Sequence, residues 1–322
     1  MGKYVLDTKE IVPINGTKLH IRIRSTDVSN PVVLFLHGGP GVCDRHWVLK
    51  YQSGLAEVCT MVCFDQRGAG KSYTREQAEE GMTVDEVVTD ARLLVEYLCE
   101  RFHKEKLIIV GHSWGSYLGT LLCQRYPDHI AAYIGMGQLA DGPENERLSY
   151  EFVWKEANAR NDKKAIADLT RIGAPVNGRY NSQDDLMVQR DYMTKFGGGG
   201  YKESSSIVMS VVVPLLLSPE YSLFDLPGYS NGVFYNLRQL WDDVATSSFL
   251  RDVPALAVPV FITQGRHDQN TPSALARAWY DALKAPYKEW FWFENSAHSP
   301  IKEEPEEWGK AVKKIIASVP GV

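Results

Sequence analysis

Residues 107–127 constrain the fold of this chain more than any other stretch. Leu107-Ile108-Ile109-Val110 is a short apolar, largely β-branched run, as a strand buried on both faces requires. Gly111-His112-Ser113-Trp114-Gly115 follows directly. Beyond it, Tyr117, Leu118, Leu121 and Leu122 recur at helical spacing until Pro127 stops the pattern. A serine between two glycines at a strand-to-helix turn sits in a bend that pushes its hydroxyl out over the sheet edge, where it can act as a nucleophile. The glycines are a steric requirement, because the bend leaves no room for side chains beside it. Gly-x-Ser-x-Gly alone is a common pattern. With strand, bend and helix together, it specifies an α/β sheet with a candidate catalytic serine at Ser113.

The flanking sequence has the same rhythm. Residues 11–24 alternate around Asn15-Gly16, a two-residue hairpin turn. Residues 32–36, 61–64 and 131–136 read as buried strands, and 84–102 as a long amphipathic helix. The pattern returns with strands at 260–263 and 290–293 and helices at 273–283 and 305–316. Between about 138 and 253 it is interrupted by helix-like stretches at 147–159 and 162–171, proline breaks, and Gly197-Gly198-Gly199-Gly200, which reads as a loose surface loop. An α/β core of residues 1–137 and 254–322, with a mainly helical insertion at 138–253, is expected.

The 322 residues are 44% hydrophobic and 23% charged, enough apolar surface for a core of that size. A net charge of -5 argues against nucleic acid or an anionic membrane as partner. Residues 1–7 lack the apolar centre of a signal peptide, and the most apolar stretch, 211–217, is short and contains Pro214. The five cysteines (43, 59, 63, 99 and 123) lack metal-ligand spacing. Reduced thiols in a cytoplasmic protein, without metal or cofactor, are expected. Cys43 stands apart, because it follows a loop assigned below to the site.

A serine hydroxyl needs a base held by a carboxylate. With an elbow of this type the partners follow in the order Ser, acid, His. Asp268 lies in a loop leaving the strand at 260–263, and His298 lies just past the strand ending at Phe293. Both therefore fall at carboxyl ends of strands, the edge where such sheets place their sites. Alone, Asp268 could bond its own loop backbone, with Pro272 opening an ordinary helix, and His267 competes as the base. In order and on the correct edge, Ser113, Asp268 and His298 read as a triad. His37-Gly38-Gly39-Pro40-Gly41 follows the strand at 32–36 and supplies backbone N–H groups for an oxyanion. The expected donors are Gly39, with Gly38 as the alternative, and Trp114. Asp65-Gln66-Arg67-Gly68-Ala69-Gly70-Lys71-Ser72 is not a phosphate loop, since Asp65 stands where the first glycine belongs. It reads as a structural turn with Arg67 bridging loops.

These segments together resemble the α/β-hydrolase superfamily, and within it the proline iminopeptidase group of serine aminopeptidases. The resemblance is carried by HGGPG at 37–41, DQRGAGKS at 65–72, GHSWGS at 111–116, GRHD at 265–268 and the segment around His298. It implies a helical cap over the site, formed by the insertion, and cofactor-free release of an N-terminal residue, often proline, from short peptides. Two positions depart from it. His112 precedes the nucleophile where the group commonly has a small residue. Gln269 follows the acid where some related aminopeptidases carry a Glu that holds the substrate amine. An amine taken out of water needs a carboxylate, so the cap must supply one from Glu144, Glu146, Glu151, Glu156, Glu203 or Glu220. Gly38, Glu144 and Glu203 are taken as substrate contacts, and Trp154, Tyr192, Phe196, Tyr201, Phe234 and Trp241 as candidate pocket walls. The expected activity is that of a serine aminopeptidase acting on small peptides through an acyl-enzyme. A carboxylesterase or lactonase is the alternative, and a ligand-binding protein without catalysis the third reading.

Overall fold

The computed structural model describes residues 3–201 and 213–321. The strands are β1 (Leu6–Ile14), β2 (Thr17–Ser25), β3 (Val32–Leu36), β4 (Thr60–Asp65), β5 (Leu107–His112), β6 (Ile130–Met136), β7 (Val260–Gly265) and β8 (Lys288–Phe293). They form one sheet in the order β1-β2-β4-β3-β5-β6-β7-β8. β1 pairs with β2, and β2 with β4, in antiparallel fashion, while the remaining pairs are parallel. Asn15 and Gly16 both take positive φ (48° and 75°) in the hairpin, as the dipeptide predicts.

Alternation along the central strands sends side chains to two opposite layers. Leu34, Leu36, Leu107 and Ile109 pack on one face, with residues of the helices α3 (Val84–Phe102) and α4 (Trp114–Arg125). Val33, Phe35, Ile108 and Val110 pack on the other, with Val48 of α1 (Arg45–Tyr51), which a short α2 (Arg75–Glu80) follows in the chain, and Trp308 and Val312 of the C-terminal helix (Pro305–Ser318). Covering both faces explains why β3, β4, β5 and β6 are buried at every position.

Between β6 and β7 run α5 (Gly142–Ala159), α6 (Lys163–Ile172), α7 (Gln183–Lys195), α8 (Val213–Leu216), α9 (Leu226–Thr246) and α10 (Phe249–Asp252). α5 begins five residues before the apolar pattern suggests. Asp141 caps its N-terminus by accepting from the Glu144 N–H, and Pro143 occupies the first turn. α9 contains Pro227, Gly228 and Gly232, which mask it in the sequence. Gly232 is needed there because a Cβ would stand 2.8 Å from the Gly68 carbonyl oxygen. Helices α5 to α7 share a small core of their own around Val153, Leu169, Tyr192 and Phe196.

The insertion is fastened to the sheet at two places. On the β7 side, Ser149 Oγ donates to the Gln269 carbonyl at 2.6 Å, and the Gln269 N–H donates to the Gly198 carbonyl at 2.9 Å. On the β4 side, Glu220 is buried against Arg22 at 3.2 Å, and the Tyr221 hydroxyl donates to Asp65 at 2.7 Å. Asn236 Nδ2 donates to the Gly68 carbonyl, also at 2.7 Å. The glycine run 197–200 is accordingly no loose surface loop. Gly198 is buried, and its carbonyl is the contact to the loop after β7.

Candidate active site

Ser113 occupies the bend between β5 and α4 with φ 55° and ψ -119°. Such a backbone costs a non-glycine residue on the order of 1–3 kcal/mol and persists only where its surroundings enforce it. Here they do. A Cβ on Gly115 would overlap the Leu36 carbonyl oxygen, and one on Gly111 would overlap the Gly115 carbonyl. The Ser113 N–H donates to the Met136 carbonyl at 2.9 Å, tying the bend to β6.

The Asp268 carboxylate is fully enclosed and accepts five hydrogen bonds. Oδ1 receives the N–H groups of Asn270 and Thr271, each at 2.9 Å. Oδ2 receives Gln264 Nε2 at 3.0 Å, the Thr271 hydroxyl at 2.8 Å and His298 Nδ1 at 3.0 Å. The ring is thereby fixed with Nδ1–H toward the acid, which leaves Nε2 as the basic nitrogen. Asp268 does bond its own loop backbone, as the local reading of the sequence allowed, and it holds His298 as well. His267 faces elsewhere: its Nε2 meets the Glu294 carbonyl at 3.1 Å, and its ring stacks on Tyr201. Glu303 Oε2 accepts the N–H groups on both sides of the histidine, Ala297 and Ser299, at 3.0 Å each. Sequence patterns gave no sign of Gln264, Thr271 or Glu303 as supports, because each acts through loop geometry.

The 37–41 loop lies against the serine. A Cβ on Gly38 would stand 3.3 Å from the Ser113 Cβ, and Gly39 holds φ +117°. Its fold is set by Gln66 and His37. The Gln66 N–H donates to His37 Nε2 at 3.0 Å, so Nδ1 carries the proton and donates to the Gly38 carbonyl at 2.9 Å. Burial pushes the His37 ring toward its neutral form. His112 is buried between loops: Nδ1 is 3.3 Å from Asp44 and Nε2 is 3.2 Å from the His298 carbonyl, and its ring lies 5.1 Å from that of His298. Cys43 is buried, with Sγ 3.6 Å from His37 Nε2, and burial raises its thiol pKa well above the ordinary range. All five cysteines are free and buried. Arg67 bridges loops as expected, donating to Asp90 at 2.7 Å and to the Asn15 carbonyl at 2.7 Å.

Of the carboxylates singled out in the insertion, Glu144 is half-exposed at the start of α5 and paired with Arg147. Glu203 lies outside the described residues. Glu220 belongs to the buried pair with Arg22. Glu146 is 1% exposed. Its Oε1 accepts from Arg190 at 2.6 Å and from Asn145 at 3.2 Å, while Oε2 has no partner. Asn145 Nδ2 also donates to the Asn270 carbonyl, within the acid loop. A cavity of about 450 Å³ between α5, the end of α7 and the acid loop is lined by Phe152, Glu156, Phe196, Tyr201, His267 and Gln269, among others. Trp154 and Phe234 are substantially exposed and do not line it. Among the described residues, no group of three or more His, Cys, Asp or Glu side chains is placed to hold a metal ion, and no helix is long and apolar enough to cross a membrane.

Comparison with known proteins agrees with this architecture. A probable aminopeptidase of Bacillus subtilis (strain 168), YbaC, is 33% identical over 293 residues, covering 91% of each chain. The crystal structure of a proline iminopeptidase from Mycobacterium smegmatis superimposes with a TM-score of 0.64 at 16% identity, covering 96% of this chain and 98% of that one. An esterase from Exiguobacterium antarcticum superimposes at 0.61 and 17% identity, over 99% and 100% of the two chains. Residues 31–305 match the family described as the alpha/beta hydrolase fold, and the chain belongs to that family.

Proposed function

We propose that this chain is a serine aminopeptidase that releases the N-terminal residue of small peptides through an acyl-enzyme, with residues 138–253 acting as its cap. The observation that carries the reading is His298, bonded through Nδ1 to the enclosed Asp268 at the sheet edge that presents Ser113. Ser113 Oγ attacks the carbonyl carbon as His298 Nε2 takes its proton, and Asp268 steadies the imidazolium. The N–H groups of Gly39 and Trp114 receive the oxyanion. His298 then protonates the departing amine, and water, activated by the same nitrogen, cleaves the acyl-enzyme. The aminopeptidase specificity is supported by the likeness to YbaC. For the substrate amine we assign Glu146, whose Oε2 is a buried carboxylate oxygen without a hydrogen-bond partner on α5, the helix resting on the acid loop.

Cleavage of prolyl- and alanyl-anilides, with fluorophosphonate labelling, tests this directly. Ser113→Ala is expected to abolish both, and Glu146→Gln to raise KM for free-amine anilides while leaving short acyl esters untouched. The reading fails if purified protein turns over esters but no anilide. Gln269 in place of an anionic neighbour to the triad acid favours that second outcome, a carboxylesterase or lactonase for small, partly apolar esters.

A further inference from the structure

Oxyanion donors of this kind are backbone groups, so their peptide planes must be held from behind. A trans peptide unit is planar, with its C=O and N–H pointing in opposite directions. Fixing one carbonyl therefore fixes the N–H of the next residue. The His37 carbonyl accepts from Gln66 Nε2 at 3.1 Å, which sets the direction of the Gly38 N–H. The Gly38 carbonyl accepts from the Val42 N–H at 3.1 Å and from His37 Nδ1 at 2.9 Å, which sets the Gly39 N–H. His37 Nδ1 is a donor because Nε2 is occupied by the main-chain N–H of Gln66 at 3.0 Å, a bond that does not depend on the Gln66 side chain. The third bond reaches the opposite wall, where Gln66 Oε1 accepts from Trp114 Nε1 at 2.8 Å. In the reading above, the backbone N–H of the same residue is the remaining oxyanion donor. Gln66 is 1% exposed, so water does not compete for these bonds.

We propose that Gln66 is a positioning residue of the oxyanion hole: its side chain sets the His37-Gly38 peptide and holds the Trp114 indole, and so ties the 37–39 loop to the nucleophile turn. This rests on the serine-hydrolase reading above. Gln66 acts through the two loops and touches no substrate. The role needs a donor and an acceptor on one planar end group. Leu offers neither, and ionised Glu lacks the donor. A residue that merely filled space would be replaceable by either.

The test compares Gln66→Leu, Gln66→Glu and Ser113→Ala in the full chain. Measured are kcat and KM on alanyl-anilide, the second-order rate of fluorophosphonate labelling, the affinity for an aminoalkyl boronic acid, and the melting temperature. The boronate adduct is a tetrahedral anion and therefore reports the hole, whereas KM reports ground-state binding. Misaligned donors are expected to lower kcat, labelling and boronate affinity together by about 10- to 100-fold, with KM within about twofold. If Ser113→Ala is inactive while both Gln66 variants keep wild-type kcat, labelling and boronate affinity, the brace is overturned and the serine reading stands. If Ser113→Ala keeps turnover, the serine reading falls and the brace falls with it. A loss of kcat that follows the fall in melting temperature and recovers on cooling also overturns it, in favour of packing. Should the Leu variant fail to fold, Gln66→Glu, which conserves volume and the acceptor for Trp114, decides by the same measurements.

Discussion

His46 gives this fold a specific weakness toward acid. It lies in α1, 4% exposed, with neither ring nitrogen hydrogen-bonded and its ring against Trp47 and Tyr221. Burial lowers its pKa from 6.5 to about 4, with Asp44 and Asp65 opposing the shift and Arg45 and Lys50 adding to it. A depressed folded pKa means that the unfolded chain binds the proton first. Stability from this group is therefore complete above 6.5 and is lost as pH falls toward 4. At about pH 5 the unfolded ring has titrated through 1.5 units and the native ring has not, which at 1.36 kcal/mol per unit costs about 2 kcal/mol. His46→Phe keeps an aromatic ring and deletes the proton site. Urea unfolding of both proteins at about pH 8 and about pH 5, followed by far-UV circular dichroism, isolates the difference, because His37 contributes equally to both. The variant is expected to lose about 2 kcal/mol less than the wild type between the two pH values. Equal losses, within about 0.5 kcal/mol, would show that His46 takes up its proton in the folded protein and refute the argument.

Asp268→Asn keeps an acceptor for the Asn270 and Thr271 N–H groups but turns an amide N–H toward His298, forcing the wrong tautomer. Anilide turnover is expected to fall about 10⁴-fold with the fold intact, and a loss below tenfold would remove Asp268 from the proposed triad. Gly115→Ala places a methyl group into the Leu36 carbonyl, and is expected to destabilise by about 3 kcal/mol in urea titration and to abolish fluorophosphonate labelling. Arg67→Met strands the Asp90 carboxylate, which is 2% exposed, and should cost about 3 kcal/mol at neutral pH. Burial raises the Asp90 pKa, so the folded protein takes up this proton at higher pH than the unfolded chain and the deficit should shrink as the medium is acidified.

The sheet was legible because a strand buried on both faces leaves little ambiguity. Residues 32–36 and the helix 84–102 end where the sequence pattern ends. The pairing of Asp268 with His298 was legible for a different reason: strand ends in such a sheet converge on one edge, so order along the chain becomes proximity in space. Gln66 carried no such signal. Its place depends on three bonds to residues far away in sequence, and nothing in its neighbours announces them. Glu303 escaped notice likewise, since it grips backbone N–H groups that any residues would present. The insertion was the least legible part. Glu144 and Glu146 are two positions apart on one helix, yet one is paired at the surface and the other buried, a distinction set by packing against the acid loop.

The two fastenings of the insertion bear on which part of a polymer can be cut. Displacing the insertion from the sheet would unseat the Glu220 to Arg22 pair and the Asn236 bond on one side, or the bonds from Ser149 and Gly198 on the other. If the peptidase activity proposed above holds, an insertion that keeps both footings seated favours a chain terminus over the middle of a long polypeptide, so the restriction to chain ends begins with how the insertion is fastened, before any side chain recognises an amine.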